Sequence, residues 1–197
     1  MSKAVLISIR PQWCELISSG KKTIEVRKTR PEIETPFKCY IYCTKEHTAD
    51  DRLWIFGKKA RKQFGTSVNI AHLCGAKDVG GAYKGNGKVI GEFVCDEIID
   101  GRAGPQHWIY ICENSMLSCQ QIYSYCGEDA DGNTKYCWGW HISDLVIYDE
   151  PKKLQEFYGY CNGYCGSYCK WYSQCSISEY SCALNCRPPQ SWRYLEV

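Results

Sequence analysis

The sequence has no apolar run close to the roughly 18 residues that a membrane-crossing helix needs. Its first ten residues, MSKAVLISIR, have too short an apolar core and no cleavage-like site for a secretory leader. The protein is therefore expected to be cytoplasmic, with no membrane partner. Net charge is also small, at +2, so attraction of the whole surface to a polyanion is excluded and any nucleic-acid contact must be local. Histidine is scarce, and none of the 4 falls in the last forty residues, where no paired CxxC pattern and no iron–sulfur signature occurs either.

Cysteine, by contrast, is abundant, with 15 in 197 residues. In a secreted chain such a count would read as a disulfide framework. An odd number without a leader points instead to reduced thiols, some of them candidate metal ligands. Hydrophobic content of 44% and charged content of 23% are those of a globular protein with a sizeable core. The length suits one domain with a large insertion or a small appendage.

Residues 3–9 form a short β-branched run that predicts a buried first strand. Pro11 suits the first turn of a helix, and Trp13, Leu16 and Ile17 give that helix one apolar stripe, with Gly20 placed for a left-handed C-terminal cap. Residues 22–28 predict a second strand, with Ile24 and Val26 on one face and Thr23, Glu25 and Arg27 on the other. Lys22 shares the parity of Ile24, so either the strand begins after it or a cleft opens at the strand's end.

Residues 37–43 read as a third strand. From 44 to 87 the pattern dissolves, apart from a possible helix near 58–64, and this stretch reads as an insertion. Residues 88–99 give the longest strand signal, with Gly91 a candidate bulge. Residues 100–117 read as loop with an extended piece at 108–112, followed by a short helix capped by Ser118. Residues 137–148 predict a strand pair or one bent strand, and Asp149 and Pro151 a short helix through Phe157. Basic residues cluster twice, at Lys21, Lys22, Arg27, Lys28 and Arg30, and at Lys58, Lys59, Arg61 and Lys62.

The segment Gly20-x-Lys22-x-x-Glu25-x-Arg27, following a strand and a helix, resembles the GxKxxExR signature of ASCH domains. Residues 140–145 (WHISDL) and the closing Pro188-Pro189-Gln190-Ser191-Trp192 also resemble segments of small ASCH proteins of bacteria and their phages. The likeness covers 1–150 and the last strand. It implies an α+β fold of PUA-like type: a small mixed β-barrel with short helices, a central insertion (44–87) and a Cys-rich appendage. The domain is then expected over 1–157 plus 187–197, and the appendage over 158–186.

The resemblance also implies a cleft, lined by the motif, that binds RNA or a nucleotide-like ligand. Expected ligand-binding residues are Lys21, Lys22, Glu25, Arg27, Arg10, Trp13, Trp140 and Trp192. Lys and Arg can neutralise phosphates, with Arg27 able to make a two-pronged contact. Glu25 can accept from an exocyclic amine or hold a basic neighbour in place. Tryptophans, Trp138 included, offer faces to an unstacked base.

Two enzymatic branches of the same resemblance supply the alternative. One hydrolyses acylated cytidine with a lysine and a threonine. Lys22 matches the lysine, but Glu25 stands where the threonine would be and cannot be a hydroxyl nucleophile. The other is a metal-dependent ribonuclease, for which Lys22, Glu25, His141 and Ser143 could supply acid, base or metal contacts. A further alternative is a protein–protein module of phage origin, with a protein partner for the insertion and the appendage.

Cys161, Cys165 and Cys169, then Cys182 and Cys186, keep the short spacing of structural zinc ligands, and Cys175 lies between them. Four of these six would suffice. The zinc would staple a segment with few apolar residues of its own; free thiols are the other reading.

Overall fold

The computed structural model describes residues 3–45, 47–48, 52–69, 80–128, 135, 137–157 and 188–196. The cysteine-rich stretch 158–186, with its six candidate zinc ligands, lies outside the described residues.

The largest sheet is built on β1 (Lys3–Ile9), whose residues from Ala4 onward are all buried. β1 pairs in parallel with β3 (Phe37–Cys43) and antiparallel with β11 (Trp192–Glu196), while β7 (Lys88–Cys95) and β10 (Ser143–Lys153) extend the sheet beyond β3. Val5, Ile7 and Ile9 point into one core and Ala4 and Leu6 into another, because strand side chains alternate. Burial on both faces explains why this strand is a continuous apolar run.

A second sheet, in the order β2 (Ile24–Arg27), β9 (Trp138–His141), β8 (Ile98–Asp100), packs over the first. Its far face carries Ile24, Val26 and Ile99, covered by Ile111 of α3 (Pro105–Ser115) and Ile122 of α4 (Cys119–Cys126). The layers run from the large sheet, through the small sheet, to two helices.

The α+β class is as expected, but among the described residues the sheets do not close into a barrel. The ladder of the large sheet stops at β10 and β11, and β2 bonds only to β9. The helical span Pro105–Ser115 corrects the extended reading of 108–112. Aromatic and β-branched residues there suggest a strand, yet Trp108, Ile111, Cys112 and Ser115 also keep the helical period, and packing on β2 and β8 selects the helix.

The stretch 44–87, expected as an insertion, holds more structure among its described residues than its composition suggests. β4 (Leu53–Phe56) pairs with β5 (Ser67–Asn69) and β6 (Ala82–Lys84), with α2 (Lys58–Phe64) between β4 and β5. Leu53 and Ile55 reach into the main core. The expected helix after Asp149 is likewise corrected: β10 runs on to Lys153, and only Leu154–Glu156 turn, as a single 3-10 turn. β10 is a sheet edge, where Pro151 lacks no ladder partner. The expected irregularity near Gly91 falls beside it, where pairing with β3 steps from Ile41↔Gly91 to Tyr42↔Val89 and passes over Ile90. A Cβ on Gly91 would collide with the Val146 carbonyl oxygen of β10, which is why glycine stands there.

Candidate functional site

The helix α1 (Pro11–Ser18) ends in a Schellman turn. Gly20, at φ 74°, donates to the Ile17 carbonyl at 2.9 Å, and Lys21 donates to the Leu16 carbonyl at 2.9 Å. This turn swings the chain so that Lys22 precedes the strand, and the strand parity no longer governs its side chain. β2 then begins at Ile24 and alternates as expected, Ile24 and Val26 toward the helices, Glu25 and Arg27 toward the large sheet. The polar face is not a solvent face: Lys22 is 2% exposed, Glu25 7% and Arg27 6%.

These three side chains form one network. Glu25 Oε2 lies 3.4 Å from Lys22 Nζ, and Glu25 Oε1 lies 2.9 Å from an Arg27 terminal nitrogen. Lys22 Nζ also donates to the Ser115 carbonyl at the end of α3, at 2.7 Å. Arg27 donates to the Ser8 carbonyl of β1 at 2.6 Å and to Ser191 Oγ, just before β11, at 3.3 Å. The motif therefore ties β1, α3 and the last strand to β2. One carboxylate between two cations leaves one positive charge in a buried setting. Burial holds the Lys22 ammonium below its ordinary range, with Glu25 pulling the other way.

The network lines a cavity of about 670 Å³. Arg10 and Trp13 of the β1–α1 corner form one side, with the Lys22 ammonium 5.6 Å from the Trp13 ring centre. α4 and its capping residue Ser118 also line the cavity, α4 through Gln121, Ser124 and Tyr125. α4 starts with a capping box, in which Ser118 Oγ accepts from the Gln121 N–H at 3.2 Å and Gln121 Oε1 accepts from the Ser118 N–H at 2.8 Å. The Lys28 ammonium lies over the Tyr125 ring, 5.1 Å from its centre.

Of the expected ligand-binding residues, the structure brings Arg10, Trp13, Lys22, Glu25 and Arg27 to this cavity. Lys21 is exposed and not part of its lining. Trp140 is a correction: at 0% exposure it belongs to the core, 5.9 Å from Phe37 and 5.8 Å from Trp192, and offers no face to a base. Trp192 packs on Trp140 and Tyr194 and donates to Thr29 Oγ1 at 3.0 Å, away from the cavity. Trp138 is covered by the Arg30 guanidinium at 4.9 Å.

The two remaining catalytic candidates stand elsewhere. His141 pairs with Ile24 across β2 and β9, on the face opposite Glu25, and its Nδ1 is 2.7 Å from Asp96. Ser143 Oγ donates to the Val94 carbonyl at 2.9 Å. Neither lines the cavity that holds Lys22 and Glu25. Among the described residues no three His, Cys, Asp or Glu side chains are grouped to hold a metal. In the second basic cluster, Arg61 is taken up structurally, donating to the Phe56 carbonyl at 3.0 Å and pairing with Asp149 at 3.4 Å.

The wall contributed by α4 was missed in the sequence, although the Ser118-x-x-Gln121 box, with Gln120 before and Ser124 after Gln121, marked a helix with a hydrophilic side. The Ser8 and Ser115 carbonyls that hold the cations leave no sequence signal at all, being backbone.

No protein-family model and no curated protein matches the chain by sequence. Among solved structures, it is similar to a point mutant of an ASCH protein from Zymomonas mobilis, at 18% identity, covering 99% of this chain and 91% of that one with a TM-score of 0.50. The unmutated ASCH protein of the same organism matches at 18% identity over 98% and 87% of the two chains, with a TM-score of 0.49. The fold that carries the Lys22–Glu25–Arg27 cavity is thus an ASCH-type fold.

Proposed function

We propose that the cavity binds a nucleotide or an unstacked nucleotide of single-stranded RNA. The observation that carries this reading is the buried Lys22–Glu25–Arg27 network with its one unneutralised positive charge in the cavity wall. A desolvated cation pair held by a single carboxylate favours an anionic or carbonyl-rich guest, because few waters compete for it. A volume of about 670 Å³ is within the usual range for small-ligand sites. Trp13 and Tyr125 present aromatic surface to a base, while Gln121 and Ser118 offer hydrogen bonds to its edge. Arg10, exposed at the rim, is suited to a flanking phosphate.

The test is fluorescence anisotropy of short labelled RNAs and of mononucleotide competitors across a salt series. Lys22→Ala and Arg27→Ala, checked for folding by circular dichroism, are expected to weaken binding by about tenfold or more, and Arg10→Ala to reduce the salt slope. Binding as tight as that of the unaltered protein in both cavity variants would overturn the assignment.

One observation favours a hydrolytic reading, as a nucleoside amidohydrolase or a ribonuclease: the Lys22 ammonium, depressed by burial, sits beside a carboxylate as a proton donor would. His141 and Ser143 do not line this cavity. Turnover of labelled RNA or acylated cytidine, with and without divalent metal, that disappears in Lys22→Ala would replace binding by catalysis.

A further inference from the structure

Eight cysteines fall among the described residues, all as free thiols, and six of them are buried where an oxidant has no access. The other two differ. Cys112 is half-buried in the last turn of α3, Cys119 is exposed at the first position of α4, and their sulfurs stand 3.1 Å apart. That separation exceeds a disulfide bond by about 1 Å. The pair is held by a joint of only three residues, 116–118, fixed by the left-handed Met116 at φ 57° and by Leu117 N–H donating to Ser115 Oγ at 3.3 Å. Two thiols kept this close by a short joint, one of them open to solvent, have the arrangement that thiol–disulfide exchange requires.

We propose that Cys112 and Cys119 are a redox modification site, a dithiol that a low-molecular-weight disulfide of the glutathione type converts to an internal disulfide. The exposed Cys119, as thiolate, attacks one sulfur of the reagent, forming a mixed disulfide and releasing one reagent thiolate, which takes up the proton that Cys119 lost. Cys112 then gives up its proton and attacks the Cys119 sulfur, expelling the second reagent thiolate, which takes that proton. Two protein thiols are oxidised and one reagent disulfide is reduced to two thiols. The exposed Cys119 is the thiol the reagent reaches first, which assigns Cys112 the second step; burial, and then the Cys119 thiol beside it, push the Cys112 thiol up to about 12. The site stands independently of what the cavity binds.

The experiment is titration of the reduced full chain with oxidised glutathione, alkylation of the remaining thiols, and peptide mapping after cleavage at Tyr123 and between residues 112 and 119. The expected product links Cys112 to Cys119, has lost two hydrogen atoms, and exceeds any link to the buried Cys126 or Cys137 by about tenfold or more. Cys112→Ser should stop at a stable glutathione adduct on Cys119, and Cys119→Ser should leave Cys112 unmodified. Both residues recovered as free thiols while other cysteines oxidise, or a glutathione adduct that persists on Cys119 in the unaltered chain, would overturn the proposal. Slow alkylation of the buried cysteines reports that the serine variants remain folded.

Discussion

Glu25 sits between two buried cations, and its carboxylate is what allows both to be there. Removing one partner of a buried ionic network leaves the others uncompensated, which costs far more than the net value of the intact network. Glu25→Gln is therefore expected to lower stability by about 3 kcal/mol, read as a fall in the urea midpoint at neutral pH. A loss below about 1 kcal/mol would mean that the Ser8 and Ser115 carbonyls alone hold the cations. At this scale much was legible: the resemblance to a short signature named Lys22, Glu25 and Arg27, and all three line one cavity. The tryptophans were not. Whether an indole is a platform or a core residue depends on its depth, and only the packing of Trp140 between Phe37 and Trp192 decides that.

Three strands of the large sheet share a polar ladder, with Lys38 of β3, Glu92 of β7 and Tyr148 of β10. Glu92 accepts from Lys38 Nζ at 2.9 Å and from the Tyr148 hydroxyl at 2.6 Å. Burial works to raise the Glu92 carboxyl, but the Tyr148 and Lys38 hydrogen bonds outweigh it and hold the group below its ordinary 4.5. The folded form therefore takes up a proton less readily than the unfolded form. Its contribution is present above pH 4.5 and is lost as pH falls through the lower folded value. Glu92→Gln is expected to flatten the acid limb of the melting-temperature profile by an amount worth less than about 1 kcal/mol, the ladder being partly exposed. An acid limb unchanged by the substitution would show that other carboxylates carry it. Elements were legible where side-chain period and turn residues agreed, as at β1, α1 and α4. They were misread where they conflicted, as at α3, whose strand-like residues fold as helix against β2 and β8.

For the whole molecule, the distant ends of the chain are joined at the site. β11 pairs with β1 from Lys3↔Glu196 to Ile7↔Trp192, and Leu195 is 1% exposed in the core. Ser191 receives a hydrogen bond from Arg27, and Ser8 Oγ donates to the Pro189 carbonyl at 2.6 Å. Ending the chain before Pro188 is expected to expose the edge of β1 and orphan part of the Arg27 guanidinium. The product should be aggregation-prone and melt at least about 10 °C lower by circular dichroism, and an unchanged melt would contradict this. The sequence by itself determined the order of apolar and polar runs, the turn at Gly20 and the identity of the charged motif, because these depend on local backbone preference and side-chain alternation. Only the tertiary structure decided that the polar face of β2 is buried, that α4 lines the cavity, and that carbonyls of Ser8 and Ser115 hold the cations. Those outcomes depend on which distant surfaces exclude water from one another, and no single segment of the chain encodes that.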